Sequence, residues 1–548
     1  MDFQLEETLP DRETIVKRMK DRVYDVVVIG GGVTGAGIFR DAMLRGLNVA
    51  LVEKDDFASG TSSESSKLLH GGLRYLMNFE FKLVREAALE RKIVADMTPH
   101  FSTVMPFVIP LYSWTKQKPW MVRMGLWLYD LLAFPKRIGK HRMMKREELI
   151  ERFPVVNNED IVKGAYYFDT RTNDSRLVLA NILDGLAGHG DALNYAELVH
   201  WKRVEEGILL EIHDKETGEK FEVKTRIMVN ATGPWADFTE DLDDEFDGSI
   251  RVRRTKGVHL TVKPKLKDHC ILLANTDDRP IFVMPWGEYD IVGTTDTDWK
   301  GKPEDVVADK SDIDYVLDAL NRLFPDANYS YEDIYSTFAG VRPLVYQPGK
   351  DERKTSREHT IKDYGDVISI AGGKLTTYRL MAQQIVDRVI RNLGLRKIKC
   401  MTAKLPLWGG DYEPWGDFTE FVAETKSHFM KTYGLAEREV EILIHYYGSS
   451  IELVEKVIKE DPQLAKPLVQ GLPFIRAMAV VAARYEQARH MEDFMRRRIQ
   501  IAFCKGNGLE ALDDVADLMG NELGWSNERK EKEKEAYLSY VREKMWKP

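Results

Sequence analysis

The chain has 548 residues, 43 % hydrophobic and 30 % charged, more than one hydrophobic core usually supports and too polar for repeated membrane crossing, so two or three soluble units are expected. Its 79 basic and 88 acidic residues leave a net charge of -9, which carries no polyanion-binding signature and excludes nucleic acid as an expected partner. Cys270, Cys400 and Cys504 are too scattered for a disulfide framework and have no metal-ligand spacing, so no metal site is expected.

Met1–Tyr24 is acidic and polar, unlike a secretory signal, and reads as the start of a cytoplasmic protein. Val26-Val27-Val28-Ile29 follows, a β-branched run with the pattern of a strand buried on both faces of a parallel sheet. Gly30, Gly32 and Gly35 then fit the GxGxxG spacing, Ala36–Leu44 is helix-compatible, and Val49–Val52 reads as a second strand ending in Glu53. This βαβ unit is a dinucleotide cradle. The glycines allow a tight turn and close approach of a diphosphate, the helix N-terminus offers free N–H groups, and Glu53 is placed to accept from ribose hydroxyls.

The next segment, Gly60-Thr61-Ser62-Ser63-Glu64-Ser65-Ser66-Lys67-Leu68-Leu69-His70-Gly71-Gly72-Leu73-Arg74-Tyr75, is rich in small donors suited to a second phosphate or a ribityl chain. Its paired glycines allow a flat ring to lie against backbone. Strand and glycine loop recur at Arg226–Asn230 before Ala231-Thr232-Gly233-Pro234, and at Val367–Ala371 before Gly372-Gly373-Lys374. A discontinuous cofactor domain is therefore assigned to residues 20–100, 161–249 and 341–400. Residues 101–160 and 250–340, richer in aromatics and prolines, form a largely β substrate region. Residues 401–548 read as a C-terminal helical domain, with helical stretches at Asp417–Tyr447, Ile451–Lys459, Pro473–Phe503 and Leu509–Met519, and its charged end, Asn527–Lys544, as a solvated helix.

The loop at 60–75, together with Asn230-Ala231-Thr232-Gly233-Pro234-Trp235, Gly340-Val341-Arg342-Pro343-Leu344 and Gly372-Gly373-Lys374-Leu375-Thr376-Thr377-Tyr378-Arg379, resembles the FAD-dependent glycerol-3-phosphate dehydrogenases over roughly residues 20 to 510. The resemblance implies an α/β fold: a glutathione-reductase-like FAD domain with a Rossmann-type parallel sheet, an antiparallel β substrate region and a helical C-terminal domain. It also implies noncovalent FAD, hydride transfer from glycerol-3-phosphate to flavin N5 giving dihydroxyacetone phosphate, and electron delivery to membrane quinone. The cofactor-binding set is expected at Gly30, Gly32, Thr34, Gly35, Glu53, Thr61, Ser62, Ser66, Lys67, Val199, Ala231, Gly233, Gly373, Leu375 and Thr376.

Oxidising a secondary alcohol phosphate requires an anion clamp, a proton acceptor and a group for the developing alkoxide. Arg74, Lys374 and Arg357, with Tyr75, are expected to bind the substrate, because arginine donates paired hydrogen bonds to phosphate and lysine is a compact charge. Arg342, its backbone restricted by Pro343, suits the alkoxide. His259 and His70 are the two candidates for the base.

Between Thr115 and Arg146 stand nine basic residues and one acid, Asp130, around the apolar stretch Pro119–Phe134. That stretch falls short of the roughly 20 residues of a span. Its basic flanks and two tryptophans instead suggest an element lying on an anionic leaflet, so the chain is expected to associate peripherally with the inner face of the cell membrane. The oligomeric state stays open, a homodimer included. Competing readings are a glycerol-3-phosphate oxidase using oxygen, an amino-acid or sarcosine-type flavin oxidase, and a flavoprotein that does not turn over.

Overall fold

The computed structural model describes residues 9–243, 245–266, 269–274, 279–346 and 358–545. Two sheets and a helical domain make up the chain. In the first sheet, strands Val367–Ala371, Lys220–Asn230, Val23–Ile29, Val49–Val52 and Asp191–Leu193 run parallel in that order. Val26, Val27 and Val28 are fully buried, as a strand covered on both faces requires. Thr360–Asp363 closes one edge antiparallel, and Ala196–Val204 with Gly207–Asp214 extend the first half of Lys220–Asn230 as an antiparallel meander.

Helix Val33–Leu44 packs on this sheet against helix Tyr378–Asn392. A Cβ at Gly37 would stand 2.8 Å from the Tyr378 ring, so this glycine sets how closely the two helices approach.

Among the described residues the second sheet has ten strands, antiparallel except where Cys270–Ile271 runs parallel to Phe107–Val108. Alternation along its strands divides the side chains between two cores. Val108, Val258, Val283 and Val292 pack under helix Lys310–Leu323, while Phe107, Met284, Ile291 and Phe338 join the core of the C-terminal domain. Strand Ile161–Thr172, which the sequence reading places with the cofactor domain, pairs along its length with Ser102–Tyr112 and so lies in this second sheet. It ends at Asn173, whose side chain accepts from Arg176 N and starts helix Asp174–Ala187 over the first sheet. One continuous segment therefore joins the two sheets.

Beyond residue 401, helices Phe418–Tyr433, Glu437–Tyr447, Glu452–Glu460, Ala477–Tyr485, Leu512–Leu523 and Asn527–Lys544 form the expected helical domain. The stretch Pro473–Phe503 is not one helix. It breaks after Tyr485, where Gln487 takes a positive φ of 52°, and resumes as a short wide turn, Asp493–Arg498. That break lets three consecutive arginines point away from their own domain. The last helix is also more than a solvated rod, since Glu533 and Tyr537 are buried and the Tyr537 hydroxyl donates to Asn507 O at 2.7 Å.

Helix Pro119–Leu132 buries only Leu126 and Tyr129. Among the described residues no helix is long and apolar enough to cross a membrane.

Candidate cofactor and substrate site

A cavity of about 350 Å³ opens where the carboxyl ends of the parallel strands meet the second sheet, the place where ligands bind in open α/β sheets. Gly30, Gly32, Thr34, Glu53, Thr61, Ser62, Ala231, Gly233, Gly373, Lys374 and Leu375 line it, so much of the expected cofactor set converges on one volume. Gly35 lies just behind, where any Cβ would overlap the Gly30 carbonyl oxygen. At Gly30, with φ at 105°, a Cβ would stand 2.8 Å from Ala231 O. Both positions tolerate glycine alone, and the cradle is shaped for a ligand that touches backbone.

Electrostatics follow the same plan. The Ser62 hydroxyl accepts from Val33 N at 2.9 Å, which brings the hydroxyl-rich loop to the free amides of the helix N-terminus. Glu53 accepts from Gly31 N at 2.7 Å and from Asp55 N at 2.9 Å, so its carboxylate is fixed at the end of its strand. Burial, then the neighbouring Asp55 charge, raises this carboxyl to about 7 against the pull of the two amides. Its remaining lone pairs suit ribose hydroxyls. The residues present fit FAD: the Gly30–Thr34 turn would take the diphosphate, Glu53 the adenosine ribose, and Pro343 with Gly372–Leu375 would be left for the ring.

Other expected residues lie elsewhere. Lys67 is buried in an ion pair with Asp174, 2.6 Å away, and donates to Ser63 O, so it braces the loop from behind and does not line the cavity. Ser66 is also outside the lining, with its hydroxyl 2.9 Å from His259 Nε2. Val199 sits one residue past the lining trio Ala196, Glu197 and Leu198. Thr376 hydrogen-bonds the backbone of His70, accepting from its N–H at 3.0 Å and donating to its carbonyl at 3.2 Å. Arg357 lies outside the described residues, as does the side chain of Arg74.

Lys374 Nζ is buried and sits 3.6 Å from the centre of the Tyr75 ring, a cation over an aromatic face at the Gly372–Leu375 end of the cavity. Arg342 precedes the lining residue Pro343 and is held by Thr294 Oγ1 at 3.0 Å, Thr295 O at 3.1 Å and Asp296 at 3.2 Å. His259 is buried with its ring stacked 4.8 Å from Phe338, and burial first, then Arg342 and Lys67, holds its pKa well below 6.5.

Sequence reasoning missed one wall of the cavity. Lys54 lies over the Trp235 ring at 4.3 Å, and Trp235 donates from Nε1 to Glu304 at 2.9 Å. Glu304 is 69 residues from Trp235 in sequence, and no local pattern announces the pairing.

A parallel sheet with a glycine cradle, joined to a second sheet over one cavity, defines a dinucleotide-dependent oxidoreductase fold. Residues 25–387 match the family model of FAD dependent oxidoreductases, and residues 400–530 match that of the C-terminal domain of alpha-glycerophosphate oxidase. A glycerol-3-phosphate dehydrogenase of Synechocystis is 35% identical over 546 residues, covering 95% of this chain and 97% of that protein. The aerobic glycerol-3-phosphate dehydrogenase of Staphylococcus saprophyticus is 36% identical over 532 residues, covering 95% and 94%. The chain belongs to the family of FAD-dependent glycerol-3-phosphate dehydrogenases. Among solved structures, the glycerol-3-phosphate dehydrogenase from Bacillus halodurans complexed with FAD superposes with a TM-score of 0.79 at 28% identity, over 97% of each chain. Glycine oxidase from Geobacillus kaustophilus shares the fold alone, with a TM-score of 0.51 at 19% identity over 69% of this chain and 96% of its own.

Proposed function

We propose that this chain oxidises sn-glycerol 3-phosphate to dihydroxyacetone phosphate and passes the electrons to quinone at an anionic membrane surface. The observation that carries this reading is Lys374, whose buried Nζ lies over Tyr75 at the Gly372–Leu375 end of the cofactor cavity, where the phosphate of a substrate lying against the ring would need a cationic partner. The names of its relatives point to the same substrate.

FAD, held noncovalently, supplies a two-electron acceptor for the hydride of the substrate carbon. Lys374, Arg74 and Arg357 clamp the phosphate, with Tyr75 fixing the lysine and offering its hydroxyl. Arg342, already oriented by Thr294 and Thr295, steadies negative charge developing on the substrate oxygen. The proton goes to a histidine. His259 stays neutral at physiological pH and so keeps a lone pair, while His70 is the alternative.

Helix Pro119–Leu132 supports the membrane half of the reading. Trp120, Met124, Trp127 and Leu131 recur at helical spacing and are each more than half exposed, among basic residues suited to anionic headgroups. Contact there would put the protein on the inner face of the cell membrane, where quinone is available.

Anaerobic addition of glycerol-3-phosphate to the FAD-loaded protein is expected to bleach the flavin's visible absorbance, and an unchanged spectrum would overturn the substrate assignment. Peroxide in stoichiometric yield under air would replace quinone by oxygen as the acceptor.

A further inference from the structure

Among the described residues, every one lining the cofactor cavity precedes Lys404, yet the loop that forms one wall is fastened to the C-terminal domain. Ser59, Gly60, Thr61 and Ser62 line the cavity, and the acids on either side of them, Asp56 and Glu64, face three consecutive arginines. Arg498 donates to both Asp56 oxygens at 2.6 and 2.8 Å, and Arg497 donates to one of them at 2.7 Å. Arg496 pairs with Glu64. All five side chains are buried or nearly so, with Asp56 at 0% and Arg498 at 1% exposure.

The arginines are themselves fixed. Glu492 accepts from Arg496 at 3.0 Å and from Arg497 at 2.8 Å, and Asp493 accepts from Arg497 at 2.7 Å. The break after Tyr485 is what aims this turn outward. Between the two anchors, Thr61 donates to Val341 O at 2.6 Å and Ser62 accepts from Val33 N. Movement at either end of the segment would thus be felt at the diphosphate turn and beside Arg342.

We infer that Arg496, Arg497 and Arg498 are positioning residues for FAD: the C-terminal domain holds the Asp56–Glu64 segment in its cofactor-binding shape and touches neither cofactor nor substrate. The inference rests on the FAD assignment. Because linkage is reciprocal, FAD must then stabilise a part of the domain that it does not contact.

The test compares the full-length protein with and without FAD by hydrogen exchange. Binding is expected to slow exchange at residues 493–503, and unchanged exchange there, with FAD bound, overturns the inference. In parallel, FAD is titrated into FAD-depleted Glu64→Gln, Arg496→Gln, the double variant and Arg496→Lys. Each single glutamine variant is expected to weaken FAD binding by about tenfold or more. The double variant is expected to bind no more weakly than either single one, and Arg496→Lys is expected to restore part of the affinity. Wild-type affinity in folded Glu64→Gln, or additive losses in the double variant, would overturn it. A variant that fails to fold leaves the exchange measurement on the wild type to decide. Wild-type protein that takes up no FAD would defeat the cofactor assignment itself, and that outcome is distinct from bound FAD with unchanged exchange.

Discussion

His259 has its ring flat against Phe338 and its Nε2 2.9 Å from the Ser66 hydroxyl. A group whose pKa lies well below 6.5 is unprotonated, and able to act as a base, at any pH above that lowered value. If it takes the substrate proton, kcat/KM stays level as pH falls through 6.5 and drops only at more acidic values. An acid limb centred at 6.5 would remove His259 from the role. The glycine requirement at Gly35 was legible in the sequence because it arises within a few residues of backbone, against the Gly30 carbonyl, whereas at Gly30 only the positive φ is local and the approach of Ala231 O comes from a distant strand end. The role of Lys67 was not, because its partner Asp174 is 107 residues away, and a lysine in a phosphate-friendly loop carries no local mark of being neutralised from behind.

Helix Pro119–Leu132 shows the same division at the scale of an element. Its hydropathy and basic flanks suggest an interfacial element, but periodicity alone did not say whether the tryptophans faced a core or solvent. Trp120 and Trp127 are 62% and 61% exposed, and Phe134 just beyond is 70% exposed. Neutralising Lys136, Arg137, Lys140 and Arg142 together is expected to release the protein from anionic liposomes in a sedimentation assay, since each basic residue near such a surface contributes about 1 kcal/mol. Undiminished binding would count against the helix as the contact. The strand Ile161–Thr172 lies in the second sheet because it pairs with Ser102–Tyr112, a partner separated from it by two helices and a short strand, so no local pattern shows the pairing.

At the scale of the whole molecule, three glycine loops spread over more than 300 residues of sequence meet at one cavity. The C-terminal domain was legible as helical but its attachment was not, because ion pairs such as Arg498 to Asp56 span 442 positions. One core joins that domain to the second sheet, so the chain is expected to unfold in a single transition. Excess FAD at about 100 times its Kd adds about 2.7 kcal/mol. Spread over the unfolding entropy of the whole chain, this raises Tm by only about 2 °C. Calorimetry showing two transitions, with only one moved by FAD, would mean that the domains unfold separately.

Tyr129 is one of two buried side chains on that otherwise outward-facing helix. Its hydroxyl accepts from Gly71 N at 2.9 Å and from Arg91 at 2.9 Å while donating to Asp169 at 2.8 Å, and a Cβ at Gly71 would run into its ring. Gly71 follows His70 and precedes the turn that carries Tyr75. The amphipathic helix and the Gly71–Tyr75 turn are thus hinged on one phenol, so a contact pressing on the outer face of the helix would have a mechanical route to Tyr75 and Lys374.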